Sequence, residues 1–255
     1  MKAIYCIGLN AWPRLEMREI TTPEPGPGEV RICNEAWGVN FVDYLMCQGG
    51  YQLRPEPPFI PGMESAGRVT ALGDGIKGIK IGDAFMAGHR PGAFAEETCV
   101  PVGRLIPIAD GMNMAEAAGF RSAFITAYHG LLQGGRLQMG EIALIHGAAG
   151  GMGHAAVQIA KRLGATVLAT ASGEEKLRAL RSLGADHAIE YDDGFRDAVK
   201  DLTGGRGADV IFDPVGGEVF GQSLRCIAPE GRIFPIGFAS GTIPQIPANI
   251  LLVKN

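Results

Sequence analysis

A chain of 255 residues, 46% of them hydrophobic, is long enough to bury roughly three quarters of the surface its unfolded form exposes, as one large domain or two smaller ones. Its formal charge of −4 is spread over interspersed acids and bases, so no basic stripe exists to release counterions and nucleic acid is not an expected partner. No apolar run reaches the ~18 residues of a membrane span, and the N-terminal stretch lacks a signal peptide's apolar core and cleavage site, so a cytoplasmic protein without a membrane partner is expected.

In chain order, short apolar runs come first, punctuated by the turn signals "PEPGPGE", "PEPPFIPG" and "HRPGA", which reads as mostly β. "EVRICNEA", "ESAGRVTAL", "KIGDAFMAG" and "AFAEETCV" are strand candidates, and "MAEAAGFRSAFITAYHGLLQ" is a helix expected to bridge the two halves. From residue 141 strands and amphipathic helices alternate. Strand "IALIH" leads to a helix over 152–163. "TVLATA" leads to a helix over 174–183, with Leu177, Leu180 and Leu183 on one face and Gly184 as its stop. Then come "HAIEY", a helix carrying Phe195, Val199 and Leu202, strand "ADVIFD", a helix carrying Phe220, Leu224 and Ile227, and strand "RIFPIG". Strands joined in this way by helices imply right-handed crossovers and a parallel, doubly wound sheet in an α/β fold. Cys6, Cys33, Cys47, Cys99 and Cys226 are odd in number and lack a C-x-x-C pair, which fits a reducing compartment and not a thiolate metal site. His89, His129, His146, His154 and His187 show no ligand spacing, and no metal site is expected.

Between strand "IALIH" and its helix stands "GAAGGMG". A dinucleotide loop needs a tight turn after a buried strand, a residue without bulk where backbone meets pyrophosphate, and a helix N-terminus aimed at negative charge. Against G-x-G-x-x-G the chain reads Ala148, Ala149, Gly150, Gly151, Met152, Gly153, so only the first glycine is changed. Alanine can make that turn if its φ stays negative. The strand before and the helix after make this a cofactor loop rather than an ordinary glycine turn. The usual fingerprint then places an acid about 20 residues on, to hold the ribose 2′-hydroxyl. Here the second strand ends Thr170, Ala171, Ser172, Gly173, without one. A carboxylate ~4 Å from a 2′-phosphate would cost about 4 kcal/mol per pair of unit charges at an effective dielectric near 20. Its absence favours NADPH over NADH. Ser172 can donate to the phosphate and Lys176 can supply positive charge, although Glu174 and Glu175 are close and Lys176 is also readable as a solvated helix lysine.

The ordered set "GVNFVD", "PFIPGMESAG", "IKIGD", "GAFAEE", "GAAGGMG", "LGAD", "DPVGG" and "GFASG" resembles the zinc-independent quinone oxidoreductase branch of the medium-chain dehydrogenase/reductase superfamily. The resemblance runs from Met1 to Asn255. It implies a GroES-like substrate domain over 1–122, a Rossmann NADPH-binding domain over 123–255, and an active site between them. Where zinc alcohol dehydrogenases of the superfamily have ligands, this chain has Asn40, Met63 and Ser122, none a good zinc ligand, and their cysteine-rich loop is missing. Without a Lewis acid, the remaining chemistry is hydride transfer to an electron-poor small molecule such as a quinone or enone.

Asn40 is then the candidate for fixing the nicotinamide or the acceptor oxygen, against a plain role in tying down a loop. Tyr51 matches the tyrosine that related enoyl reductases use near the reacting carbon, against a loop tyrosine packed on the wall. The resemblance also implies cofactor contacts at Thr126, Tyr191, Val215, Phe238, Ala239 and Ser240. Strand capping competes for Tyr191, and core packing for Val215 and Phe238. Family members continue beyond the stretch matching "ANILLVKN". The resemblance thus implies a Rossmann sheet without its last strand here, with "RIFPI" an open edge and the family homodimer without its pairing strand. The leading expectation is NADPH-dependent, metal-independent reduction of quinones or activated alkenes. The rivals are an enoyl-thioester reductase and a cofactor-binding sensor or structural protein with little turnover.

Overall fold

The computed structural model describes residues 1–9, 14–191 and 194–254, and the chain forms two compact units, Met1–Ser122 and Ala123–Asn255.

In the first unit, β1 (Lys2–Gly8) and β2 (Arg14–Glu19) form an antiparallel pair. A five-stranded antiparallel sheet follows, built from β3 (Glu29–Gly38), β4 (Glu64–Leu72), β5 (Ala84–Gly88), β6 (Glu97–Pro101) and β7 (Leu105–Pro107), in the order β6-β3-β4-β5-β7. Along β3, Val30, Ile32 and Asn34 are buried while Cys33 and Glu35 are exposed, the two-residue period of a strand with one wet face. Val30 and Ile32 join Val69, Ala87 and Val100 in the core. The stretch read as strand "KIGDAFMAG" is extended only from Ala84 on. Residues 80–83 instead turn, with the Lys80 N–H donating to Asp83 Oδ2 at 2.8 Å and Gly82 at φ 92°. Likewise "AFAEETCV" joins the sheet only at Glu97, because the Ala93 and Phe94 N–H groups donate to the Gly62 and Pro61 carbonyls. Between β3 and β4 lies α1 (Phe41–Cys47).

Helix α2 (Met114–Tyr128) leads from the first unit into the second and continues in π-helical turns over His129–Gly134, closed by the Gly135 N–H on the Gly130 carbonyl at 2.9 Å. The second unit is a parallel sheet of β8 (Ile142–Ile145), β9 (Thr166–Ala171), β10 (His187–Glu190), β11 (Ala208–Asp213) and β12 (Ile227–Pro235), ordered β10-β9-β8-β11-β12. Helices α3 (Gly151–Arg162), α4 (Glu174–Leu183), α5 (Phe195–Leu202) and α6 (Gly217–Cys226) connect the strands, and α7 (Ala248–Lys254) follows β12. Ala143 and Ile145 of β8 face Ala155, Val157, Leu177 and Leu180, whereas the intervening Leu144 packs with Phe195, Val199 and Cys226. Burial on both faces explains the unbroken apolar run of such strands. Ile227, read as helical, opens β12 instead. It is extended (ψ 142°) and pairs with Ala208, and a left-handed Glu230 (φ 57°) then shifts the register so that Arg232 pairs with Val210.

Candidate functional site

The carboxyl ends of β8 to β12 converge on one edge of the sheet, where open α/β folds bind ligands. After β8 the left-handed step falls on Gly147 (φ 54°), while Ala148 is fully buried and keeps a negative φ. An alanine at the first fingerprint position is therefore unstrained, because the residue before it makes the turn. Gly150 stands before the first turn of α3 at φ −82° and ψ 166°, with no side chain capping the helix. Among the described residues the Gly151, Met152 and Gly153 N–H groups have no acceptor. They form an uncapped helix N-terminus suited to an anion. A Cβ at Gly151 would meet open space, whereas at Gly153 it would strike the Gly147 carbonyl oxygen. Gly151 thus leaves room above the helix end, and Gly153 lets α3 lie against the loop. Met152 is half-buried against the core.

A cleft of ≈490 Å³ at the same edge is lined by Ser172, Tyr191, Phe195, Val215, Glu218, Val219 and Gln222. The Gly147 N–H donates to the Tyr191 hydroxyl at 2.6 Å, and that hydroxyl also meets Thr170. Burial pushes the phenol up to about 12, so it stays protonated and donates onward. Thr170 Oγ1 contacts Nδ1 of the fully buried His146 at 2.9 Å, His146 Nε2 contacts Ser223 Oγ at 2.8 Å, and Ser223 Oγ donates to the Val219 carbonyl at 2.7 Å. Because Ser223 spends its proton on Val219, His146 carries its own on Nε2 and accepts from Thr170 at Nδ1. Burial holds this imidazole down to about 3. It is neutral and wholly engaged.

At the end of β11, Asp213 Oδ1 accepts the Val215 and Gly216 N–H groups at 2.7 and 3.0 Å, and burial raises this carboxyl. The segment after β12 returns to the same turn. Ala239 and Ser240 donate their N–H groups to the Pro214 and Val215 carbonyls at 3.0 and 2.9 Å, and the Phe238 ring lies against Gly216. Val215, Phe238, Ala239 and Ser240 are thereby brought together. Ser172 and Lys176 flank the start of α4, both exposed, and Thr126 is half-buried on α2.

In the first unit Asn40 caps α1, its backbone N–H on Asp43 Oδ2 at 2.8 Å. Its side-chain Nδ2 donates at 2.8 Å to Oε1 of Glu64, which is 1% exposed, and Glu64 Oε2 accepts the Ser122 N–H at 2.7 Å. The carboxylate thus fixes which way the Asn40 amide faces. Burial raises Asp43 to about 6, while the N–H groups of Asn40, Gly62 and Met63 favour its charged form and Glu64 opposes it. Tyr51 lies past the far end of α1, half-buried, and among the described residues its hydroxyl has no partner. No hydrogen bond joins Tyr51 to Asn40. The sequence alone does not single out Glu64, Asp43, Glu218 or Gln222, which enter through the fold. "GMESAG" held the signal for Glu64, since an acid inside an apolar strand needs buried partners. Among the described residues no group of three or more His, Cys, Asp or Glu side chains is placed to hold a metal ion, and no helix is long and apolar enough to cross a membrane.

Residues 26–110 match the alcohol dehydrogenase GroES-like domain family, and residues 151–255 match the zinc-binding dehydrogenase family. A quinone oxidoreductase-like protein 2 homolog of Nematostella vectensis is 41% identical over all of this chain and 70% of its own. The 2-haloacrylate reductase of a Burkholderia species is 37% identical over 89% of this chain and 70% of its own. The quinone oxidoreductase of Thermus thermophilus, whose structures include its complex with NADPH, superposes with a TM-score of 0.85 at 37% identity, over all of this chain and 78% of that one. With both family domains present in order and relatives of this identity along its length, the chain belongs to the zinc-independent quinone oxidoreductase branch of the medium-chain dehydrogenase/reductase superfamily, and is an oxidoreductase.

Proposed function

We propose that the protein reduces quinones or other activated alkenes with NADPH, without a metal ion. The observation that carries this reading is the uncapped N-terminus of α3, with three free N–H groups under a bulk-free Gly150–Gly151 step, beside a cleft lined by Ser172, Tyr191 and Val215. The Gly151–Gly153 N–H groups would hold the pyrophosphate, while Ser172, Lys176 and Tyr191 would hold the ribose phosphate. Thr126, Val215 and Phe238–Ser240 would line the nicotinamide side. Bound there, NADPH supplies the hydride.

The remaining work belongs to the first unit. Asn40, its amide held by Glu64, orients the nicotinamide or the acceptor oxygen without paying reorganisation in the reaction. Tyr51, its hydroxyl unengaged, donates a hydrogen bond or the proton that the reduced acceptor takes up. Titration of the protein with NADPH and NADH tests the cofactor reading, and tighter NADH binding would sink it. Turnover with 1,4-benzoquinone, an enone and crotonyl-CoA tests the acceptor. Preference for the thioester would make this an enoyl-thioester reductase, and NADPH binding without any reduction would leave a cofactor-binding protein. Tyr51→Phe is expected to lower kcat and leave NADPH affinity intact.

A further inference from the structure

The stretch Thr170–Gly173 carries no acid, yet the fold brings one there from the neighbouring strand. Glu190, the last residue of β10, pairs with Ala171 in the parallel register. Its carboxylate reaches over the end of β9 to the turn that starts α4. The Gly173 N–H donates to Oε2 at 2.9 Å and Oε1 at 3.2 Å, and the Tyr191 N–H donates to Oε1 at 3.3 Å. Glu190 is thus fixed beside two of the residues that line the ≈490 Å³ cleft, Ser172 and Tyr191. Among the described residues it forms no ion pair, whereas Glu174 at the same turn is paired with Arg181.

A carboxylate has roughly four lone-pair sites. The two backbone N–H groups leave acceptor capacity on Oε2, which suits a ribose 2′-hydroxyl. A 2′-phosphate has a negative charge and no proton to spare at neutral pH, so the same oxygen repels it. Lys176, exposed on the first turn of α4 and without an ion-pair partner among the described residues, pulls the other way.

We infer that Glu190 is a specificity-determining residue, supplying across the sheet the acid that the ordinary fingerprint carries at the end of its second strand, and so narrowing the preference for NADPH over NADH. This rests on the reading of the strand-end cleft as a dinucleotide site. Glu190→Gln keeps an acceptor oxygen for the Gly173 N–H and removes only the charge. In fluorescence titrations of the full chain the ratio Kd(NADH)/Kd(NADPH) is expected to rise between about threefold and about a hundredfold, the effect of one unit charge at ~6 Å between the dielectric of bulk water and that of a protein surface. The rise should come from tighter NADPH binding and shrink toward ~1 M salt. Glu190→Ala, which removes the acceptor as well as the charge, should weaken NADH and leave NADPH at least as tight as in the parent. An unchanged ratio in Glu190→Gln, or equal weakening of both cofactors, would mean that Glu190 only braces the turn, and would overturn the inference with the dinucleotide reading intact. Failure of the unsubstituted protein to bind either cofactor would overturn both.

Discussion

Replacing Gly153 with alanine would put a Cβ 2.5 Å from the Ala148 Cα, 2.8 Å from the Gly147 carbonyl carbon and against the Gly147 oxygen. These are backbone atoms of the loop that would hold the pyrophosphate, so no side chain can swing aside. To restore ordinary contact α3 must move away from the end of β8 by about 1 Å, against a core already filled by Ala155, Ala156 and Val157. Overpacking of this kind costs about 1–3 kcal/mol. At about 2–4 °C per kcal/mol for a chain of this size, a midpoint cost lowers Tm by about 4–8 °C. The shift also carries the Gly151–Gly153 N–H groups out of line, so NADPH affinity should fall at least about tenfold, or about 1.4 kcal/mol. Gly151→Ala is the matched control: its Cβ meets nothing within 4 Å and removes a glycine's conformational freedom, so Tm should hold or rise slightly. Its methyl group nonetheless stands where the pyrophosphate would lie, and affinity should fall. Calorimetry and fluorescence titration read the two quantities separately. A Gly153→Ala protein that melts and binds like the parent would refute the close-approach argument.

Tyr191→Phe strips the Gly147 N–H of its acceptor, at a cost of about 1–3 kcal/mol in urea unfolding together with weaker NADPH binding; unaltered stability and affinity would remove Tyr191 from the loop's support. Glu64→Gln turns an NH2 group either toward Asn40, whose amide must then rotate, or toward the Ser122 N–H, which then loses its acceptor and shifts the end that holds Asn40 in place. Here kcat should drop about tenfold with NADPH affinity kept, and Asn40→Asp in the same chain should restore part of it; a normal kcat in the single variant would show that Asn40 needs no such orientation. Stability should also fall in acid. His146 and His89 are held down to about 3 and about 4 by burial, so below pH ~6.5 the unfolded chain takes up protons that the folded one refuses. Each contributes a slope approaching 1.4 kcal/mol per pH unit as a rough limit. Asp43, raised to about 6, acts in the opposite sense between its folded value and the ordinary 3.8. Asp213, also raised by burial, acts in the same sense as Asp43, so urea midpoints are expected to fall between pH ~7 and ~6, where the two imidazoles lead, and to level off toward pH ~4.5; no fall between pH ~7 and ~6 would contradict this.

The second unit is readable because β8, β9 and β11 are buried on both faces and α3 and α4 stop at Gly164 and Gly184. For α4, Leu177 and Leu180 mark the buried face and Gly184 the left-handed cap. β2 carries no such signal. Arg14, Leu15, Glu16 and Met17 are all exposed, so no buried face imposes a pattern on them, and β7 has only three residues. Ile227 carries the apolar character of either a helix or a strand, and only its pairing with Ala208 decides between them. In the site, the phosphate loop is a local feature and could be read along the chain. The grip of Glu64 on Asn40 spans 24 residues and that of Glu190 on Gly173 spans 17. Both depend on which strands become neighbours, and sequence spacing does not carry that.

The chain of contacts from the Gly147 N–H through Tyr191, Thr170, His146 and Ser223 to the Val219 carbonyl has a direction, since each group accepts from one side and donates to the other. Removing a hydroxyl at any point strands the proton behind it and the lone pair ahead of it in a dry interior. Damage from a second loss is then smaller than from the first, so energies of paired substitutions at 146, 170, 191 and 223 should not add. Across related chains these four positions are expected to be inherited as a block and exchanged together for an apolar set, because each intermediate with one member replaced is worse than either end.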